Sequence, residues 1–309
     1  MLFRSQSWPS KTVRIVVPHT AGAPFDGELR QFAQSMSQVF GQPFVHDNRD
    51  GADGAIGAEA CAKSAPDGYT LCATTSSVIT LNPLVHLKLP YDAEKDFVPI
   101  VHVGVLNSAV IAHPSVPVNS FRELMTLARS KPDAVSFGTM GATSYGTLLM
   151  GWLRAKNGVS LYGVPYKNAT QSMTAAVGGE VQVTTYALGQ ILPMIKSGKL
   201  KALAVVSTKR SQFLPDVPTL SEEGLDMPLP RNWIGMFAPT GTSREIVNRV
   251  NGEVARVIAS PGFKDKFMMA RGIEADEFTA QPADSFAAFL KKDREEYTTI
   301  VNTIGLKRQ

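Results

Sequence analysis

Two short segments hold the residue types from which an anion site is built: PHTAGAPFD (18–26) and GTMGATSYG (138–146). Each follows a short apolar run, crosses small residues and opens a helical pattern. A strand feeding such a turn leaves the first N–H groups of the helix unbonded, with the positive end of the helix dipole behind them. In the first segment the candidate contacts are His19, Ala21, Gly22, Ala23, Phe25 and Asp26, although Asp26, just behind Pro24, also reads as a helix start signal. In the second they are Gly138, Thr139, Gly141, Thr143, Ser144 and Tyr145, where glycines allow close backbone approach and hydroxyls add donors. A third hydroxyl-rich stretch, ATTSSVITLNP (73–83), contributes Thr75, Ser76 and Ser77. Residue types alone leave three uses open for such a turn: a phosphate loop, a carboxylate clamp, or a helix cap.

The phosphate loop fails on detail. There is no GxxxxGK[ST], and AGAPFD lacks the three glycines of a dinucleotide fingerprint. GATSYG is close to a nucleophile elbow, but Ala142 stands where GxSxG needs glycine, and all five histidines precede Ser144. A hydrolase using Ser144 is therefore only a third reading. No HExxH or CxxC occurs, so no metal or cofactor is expected. Cys61 and Cys72, set among small and apolar neighbours, read as two buried free thiols. The net charge of +4 is spread without a basic tract, which argues against nucleic acid as a partner.

These segments must be positioned by an α/β fold. VRIVV (13–17), PFVHDN (43–48) and TLCATT (70–75) read as strands. Leu29, Phe32, Ala33, Met36 and Phe40 mark one helical face, and GAIGAEACAKSA (54–65) reads as a helix of small residues. The strand, loop and helix pattern returns at 135–158, followed by SLYGVPY, a helix from about Ala169, EVQVTTY and LKALAVVS. After a Pro-rich connection (215–230) come WIGMFAP and three helices. From Phe97 to Phe121 there is no Asp, Glu, Lys or Arg, but prolines and polar residues divide the stretch into two strands rather than a membrane span. The opening MLFRSQSWPSKTVRI has no apolar core of an export signal.

WPSKTVRIVVPHTAG, NRDGADGAIGAEACAKSAPDGYTL, LNPLVHLKLPYDAEKDFVPI, VPYKNA, GKLKALAVVSTKRSQFLPDVPTLSEEG and WIGMFAPTGTSREIVNRVNGEV stand in an order that resembles one family throughout. It is that of the periplasmic solute receptors of tripartite tricarboxylate transporters, the Bug-type receptors. The resemblance implies a type II periplasmic-binding-protein fold: two α/β lobes, each a mixed sheet flanked by helices, joined by crossing strands. Lobe 1 is expected at 1–104 with 230–309, and lobe 2 at 105–229. It further implies a monomeric periplasmic receptor that binds a small carboxylate and delivers it to membrane transporter subunits, without catalysis or cofactor. A sensor subunit signalling to a membrane partner is the alternative. By resemblance, ligand contacts come from the loops at 18–26 and 138–146 and from regions 74–78, 166–170 and 186–190, which adds Tyr166, Asn168 and Tyr186.

Departures from the family pattern bear on the ligand. Pro24 removes one N–H donor, and Phe25 either packs on its lobe away from the ligand or, with His19 and Tyr145, walls the pocket for an aromatic or longer acid. Tyr186 stands where many relatives carry an acid that serves a ligand amine, so a plain carboxylate is expected over an amino acid. Arg231 either reaches the distal end of the ligand or is a solvated hinge residue.

Overall fold

The structure, a computed structural model, describes residues 8–22, 26–141, 144–167, 169–228, 230–264, 268 and 272–308. Along the chain run β1 (Val13–Val17), α1 (Asp26–Phe40), β2 (Phe44–Asn48), α2 (Ala55–Ala62), β3 (Thr70–Thr75), α3 (Asn82–Val85) and β4 (Phe97–Leu106). There follow β5 (Ser108–Ala112), α4 (Phe121–Ser130), β6 (Ser136–Thr139), α5 (Tyr145–Asn157), β7 (Tyr162–Pro165), α6 (Ala169–Gly178), β8 (Val183–Ala187), α7 (Leu188–Lys196) and β9 (Lys201–Val206). The chain ends with β10 (Trp233–Pro239), α8 (Arg244–Ala259), α9 (Pro261–Phe263), β11 (Ile273–Glu274) and α10 (Ala283–Ile304).

These elements form two compact units, 1–105 with 232–293 and 106–231 with 294–309. The first contains a mixed sheet in the order β11-β4-β10-β3-β1-β2. Here β1 pairs in parallel with β2 and β3, while β10 runs antiparallel between β3 and β4. The second unit holds the sheet β7-β6-β8-β5-β9, in which β6 is parallel to β7 and β8 and β5 is antiparallel to β8 and β9. Residues 294–309, grouped with lobe 1 by the sequence reading, pack with the second unit, where Ile304 lies against Gly151 of α5. The apolar period of α10 runs on unbroken past residue 293, so no sequence signal marks the change.

The amphipathic face of α1 is as the spacing predicts: Leu29, Phe32, Ala33 and Met36 are buried, and Phe40 packs on Trp8 and Phe44. The charge-free stretch after Phe97 is β4 and β5, buried along most of their length because each lies inside a sheet. Among the described residues no helix is long and apolar enough to cross a membrane. In the first unit, Trp233, Phe237, Phe286 and Phe289 form an aromatic core, and the Trp233 indole N–H donates to Asp293 Oδ2 at 2.9 Å.

One expectation is overturned here. Cys61 of α2 and Cys72 of β3 are not separate thiols but a disulfide, their Cα atoms 6.1 Å apart, within the reach of a bridge. Small, apolar surroundings fit a buried bridge as well as buried thiols, and the packing of α2 against β3 that brings the two together is a tertiary fact.

Candidate functional site

The first loop begins where β1 ends. Its base is fixed by His19 N–H donating to Val17 O at 2.8 Å, and its far end by Asp26, the first residue of α1. Asp26 is 4% exposed and gathers four donors: Gly22 N–H at 3.0 Å, Arg30 Nε at 2.9 Å, His46 Nε2 at 2.8 Å and Asn48 Nδ2 at 2.7 Å. Burial opposes ionisation, but the bonds from Asn48, Gly22, Arg30 and His46 outweigh it and hold the carboxyl well below the usual carboxylate range. Asn48 also donates to His19 O at 3.1 Å and accepts from Arg30. The loop is thus strapped to β2 through one buried charge.

This changes the part each loop residue plays. Gly22, expected to offer its N–H to a ligand, gives it to Asp26. Asp26 itself, with both oxygens engaged, is the strut behind the loop. The exposed Thr20 and Ala21 keep N–H groups that meet no acceptor among the described residues. Thr20 donates its hydroxyl to Asp50 at 2.7 Å. His19 Nε2 lies 3.4 Å from Thr75 Oγ1, and burial brings the imidazole down to about 4 against a smaller opposing pull from Asp50, so it is neutral at pH 7. Ala23 and Phe25 lie outside the described residues, as does Pro24.

The third segment converges on the same loop. Thr75, at the end of β3, bonds Ser77 Oγ at 2.8 Å as well as His19. Ser76 is buried and donates to Asn232 Oδ1 at 3.5 Å. Thr75, Ser76, Ser77 and His19 therefore form one neutral polar cluster in the first unit.

In the second unit, β6 leads into the loop before α5. Ser144 is the N-cap: its Oγ accepts from Thr147 N–H and from Met140 N–H, each at 3.3 Å. Gly141 O collects the Thr147 hydroxyl at 2.6 Å and the Ser144 hydroxyl at 3.2 Å. With the third amide of the helix capped by Ser144, the N–H groups of Tyr145 and Gly146 are the ones that α5 cannot satisfy. Among the described residues, the partners of Ser144 include no histidine or carboxylate that would act as its base. Thr143 lies outside the described residues.

The remaining candidates serve this loop from behind. Gly138 accepts the Thr184 hydroxyl at its carbonyl (2.9 Å), and a Cβ there would stand 2.9 Å from Ser172 Oγ; its missing side chain makes room for α6. Thr139 O accepts Tyr166 N–H at 2.8 Å. Tyr186 is 6% exposed in the core between β8 and α7, and burial raises its phenol. The Tyr145 hydroxyl is sealed from solvent without a hydrogen-bond partner, and burial, with Tyr297 nearby, pushes it far up. Asn168 lies outside the described residues. Among the described residues no group of His, Cys, Asp and Glu could hold a metal ion.

Residues that the sequence reading missed are the ones that hold the loops. Arg30 was legible as the i,i+4 partner of Asp26. His46 and Asn48 alternate on β2 with a period of two and so share a face. Thr147 sits three residues after its cap.

Comparison with known proteins places these features. The profile of the family described as "Tripartite tricarboxylate transporter family receptor" matches residues 29–306. A UPF0065 protein of Bordetella bronchiseptica is 34% identical over 98% of this chain and 89% of its own length. Among solved structures, a protein of Rhodopseudomonas palustris with adipate superposes with a TM-score of 0.86 at 29% identity, covering 98% of this chain and 100% of that one. The periplasmic binding protein BugD follows at 0.83 and 29%, with the same coverage. MatC of Rhodopseudomonas palustris, with bound malate, matches at 0.80 and 26%, covering 95% and 100%. The fold is that of the periplasmic binding proteins of this type, and the chain belongs to the tripartite tricarboxylate transporter receptor family.

Proposed function

We propose that this protein is a periplasmic receptor that holds a small organic carboxylate with residues of both units, passes it to a membrane transporter, and performs no chemistry. One observation carries the reading: each unit has a strand-to-helix turn in which two neighbouring backbone N–H groups meet no acceptor among the described residues, Thr20 with Ala21 and Tyr145 with Gly146. Such amides bind carboxylate oxygens well, and at Tyr145 and Gly146 the dipole of α5 also favours negative charge. The adipate and malate held by two similar proteins belong to the same class of ligand. A ligand held by both units at once would favour the closed state, as in a hinged receptor. The disulfide supports an oxidising compartment, and Ser144 without a base argues against a hydrolase.

The site favours a plain carboxylate over an amino acid. Asp26 is filled by its four donors and Tyr186 is a neutral phenol, so neither is available to receive an ammonium group. A thermal-shift screen followed by calorimetry tests both points. Adipate, malate or an aromatic acid should raise Tm, since a ligand at about 100 times its Kd adds about 2.7 kcal/mol. Tighter binding of aspartate or glutamate than of any plain acid would refute the preference. No response to any carboxylate, combined with turnover of an ester, would sink the receptor reading.

A further inference from the structure

We propose that Gly54 and Gly57 form a saddle that sets the position of the first loop against the 75–78 segment, and so controls ligand affinity without touching ligand. The inference rests on the reading of those two segments as ligand contacts. A Cβ on Gly57 would stand 2.6 Å from Pro18 Cα, 2.7 Å from Pro18 Cβ and 2.5 Å from Arg49 O. A Cβ on Gly54 would stand 2.8 Å from Pro18 O and 2.8 Å from Val78 Cγ2, at a φ of +85° that side chains rarely adopt. Pro18 is the base of the first loop, and Val78 directly follows Ser77. Both segments therefore rest on one turn of backbone.

Helix formation does not call for glycine at 57, which lies inside α2, where alanine is the better residue. Close approach does. The saddle also cannot back away. The disulfide ties α2 to β3, Asn82 Nδ2 donates to Asp53 O at 2.8 Å, and Tyr91 donates to Val78 O at 2.6 Å. On the other side, Arg49 N–H donates to Val17 O at 2.8 Å. A methyl group at 57 is opposed by backbone, so relief comes from moving Pro18, and with it the amides of Thr20 and Ala21.

The test compares Gly57→Ala with Gly104→Ala, a second tight glycine of the same unit, whose Cβ would meet Ile273, Glu274 and Met268 on the far side of the sheet. Adipate binding is measured by calorimetry on protein that melts cooperatively, with the amide resonances of Thr20 and Ala21 as a second readout. Gly57→Ala should lose at least about tenfold in affinity and shift both amides, whereas Gly104→Ala should lower Tm and keep affinity within about twofold. If Gly57→Ala does not fold, Val78→Ala, which frees the other seat of the saddle, should show the same loss. Unchanged affinity in the folded variant, or an equal loss in Gly104→Ala, overturns the saddle. Wild-type protein that binds no carboxylate overturns instead the reading beneath it.

Discussion

The two loops reach a similar end, a pair of amides that meet no acceptor among the described residues, by opposite electrostatics: Thr20 and Ala21 lie in the loop before α1, Tyr145 and Gly146 in the first turn of α5. The first is held by a buried carboxylate and its donors, the second by the hydroxyls of Ser144 and Thr147 around one carbonyl. Asp26 and Asp50 place negative charge beside the first loop, where Thr20 is tied to one and Gly22 to the other. Among the described residues, the bonds of the second loop include no charged group. On the proposed reading, a carboxylate would meet neutral, well-capped amides at the second loop and, at the first, amides beside a charge that is compensated from within. The difference teaches that a loop can keep amides open beside a buried carboxylate, provided that charge is spent internally.

The strongest test of the contrast is Asp26→Ala. Removing the hub leaves His46, Asn48 and the Gly22 N–H without their acceptor, the His46 ring in a site nearly sealed from water, at a cost of about 3–4 kcal/mol. Chemical denaturation should show that loss, and carboxylate affinity should fall with it. A loss no larger than that of a single cap would erase the distinction between the loops. Next in size, replacing Cys61 and Cys72 by serine should cost about 2–3 kcal/mol, given the 11-residue separation. Because the bridge lies in the first unit, amide exchange should quicken in the first loop and leave α5 unchanged. Equal quickening in both units would show that the bridge acts globally.

What was legible in the sequence follows the same division. The two strand-loop-helix patterns, the face of α1 and the reading of 97–121 as strands depend on local period and turn chemistry, and a chain carries those openly. The two cysteines were misread because each has its partner on another element, and the contacts that hold Asp26 from His46 and Asn48 were hidden for the same reason. Gly22 was assigned to a ligand because nothing local shows that Asp26 turns back to take its N–H. The helices α4 and α7 went unread, although Ser120 caps α4 by accepting Glu123 N–H, a signal that was present. The burial of the Tyr145 hydroxyl without a partner was not legible either, since it depends on packing with distant elements.

A smaller effect follows from His19. Its folded value, about 4, lies below the ordinary 6.5, so the folded state resists a proton that the unfolded chain accepts. Stability is complete above pH 6.5 and falls as the pH drops through the window to about 4, by an amount on the order of 2 kcal/mol. His19→Gln should flatten the dependence of Tm on pH in that window. Asp26 acts lower, since its depressed value means stability is lost only as pH falls below the ordinary carboxylate range. An unchanged slope between pH 6.5 and 4 in His19→Gln would show that the first loop leaves its histidine to titrate normally.

The smallest expected effect probes the neutral second loop. Ser144→Ala removes the acceptor for Thr147 and Met140 N–H and one donor to Gly141 O, which should cost about 1 kcal/mol, the value of a helix N-cap. Thr147 keeps its own bond to Gly141 O, so the loop retains part of its shape. Carboxylate affinity should then fall only a few-fold, since the Tyr145 and Gly146 amides remain at the helix start. Ser144→Asp sharpens the point. It restores a cap of equal quality, so Tm should recover, but it puts a charge where the loop had none and should weaken anion binding more than alanine does. If Ser144→Asp bound the carboxylate as well as wild type, the neutrality of this loop would carry no weight, and the two loops would differ in construction but not in consequence.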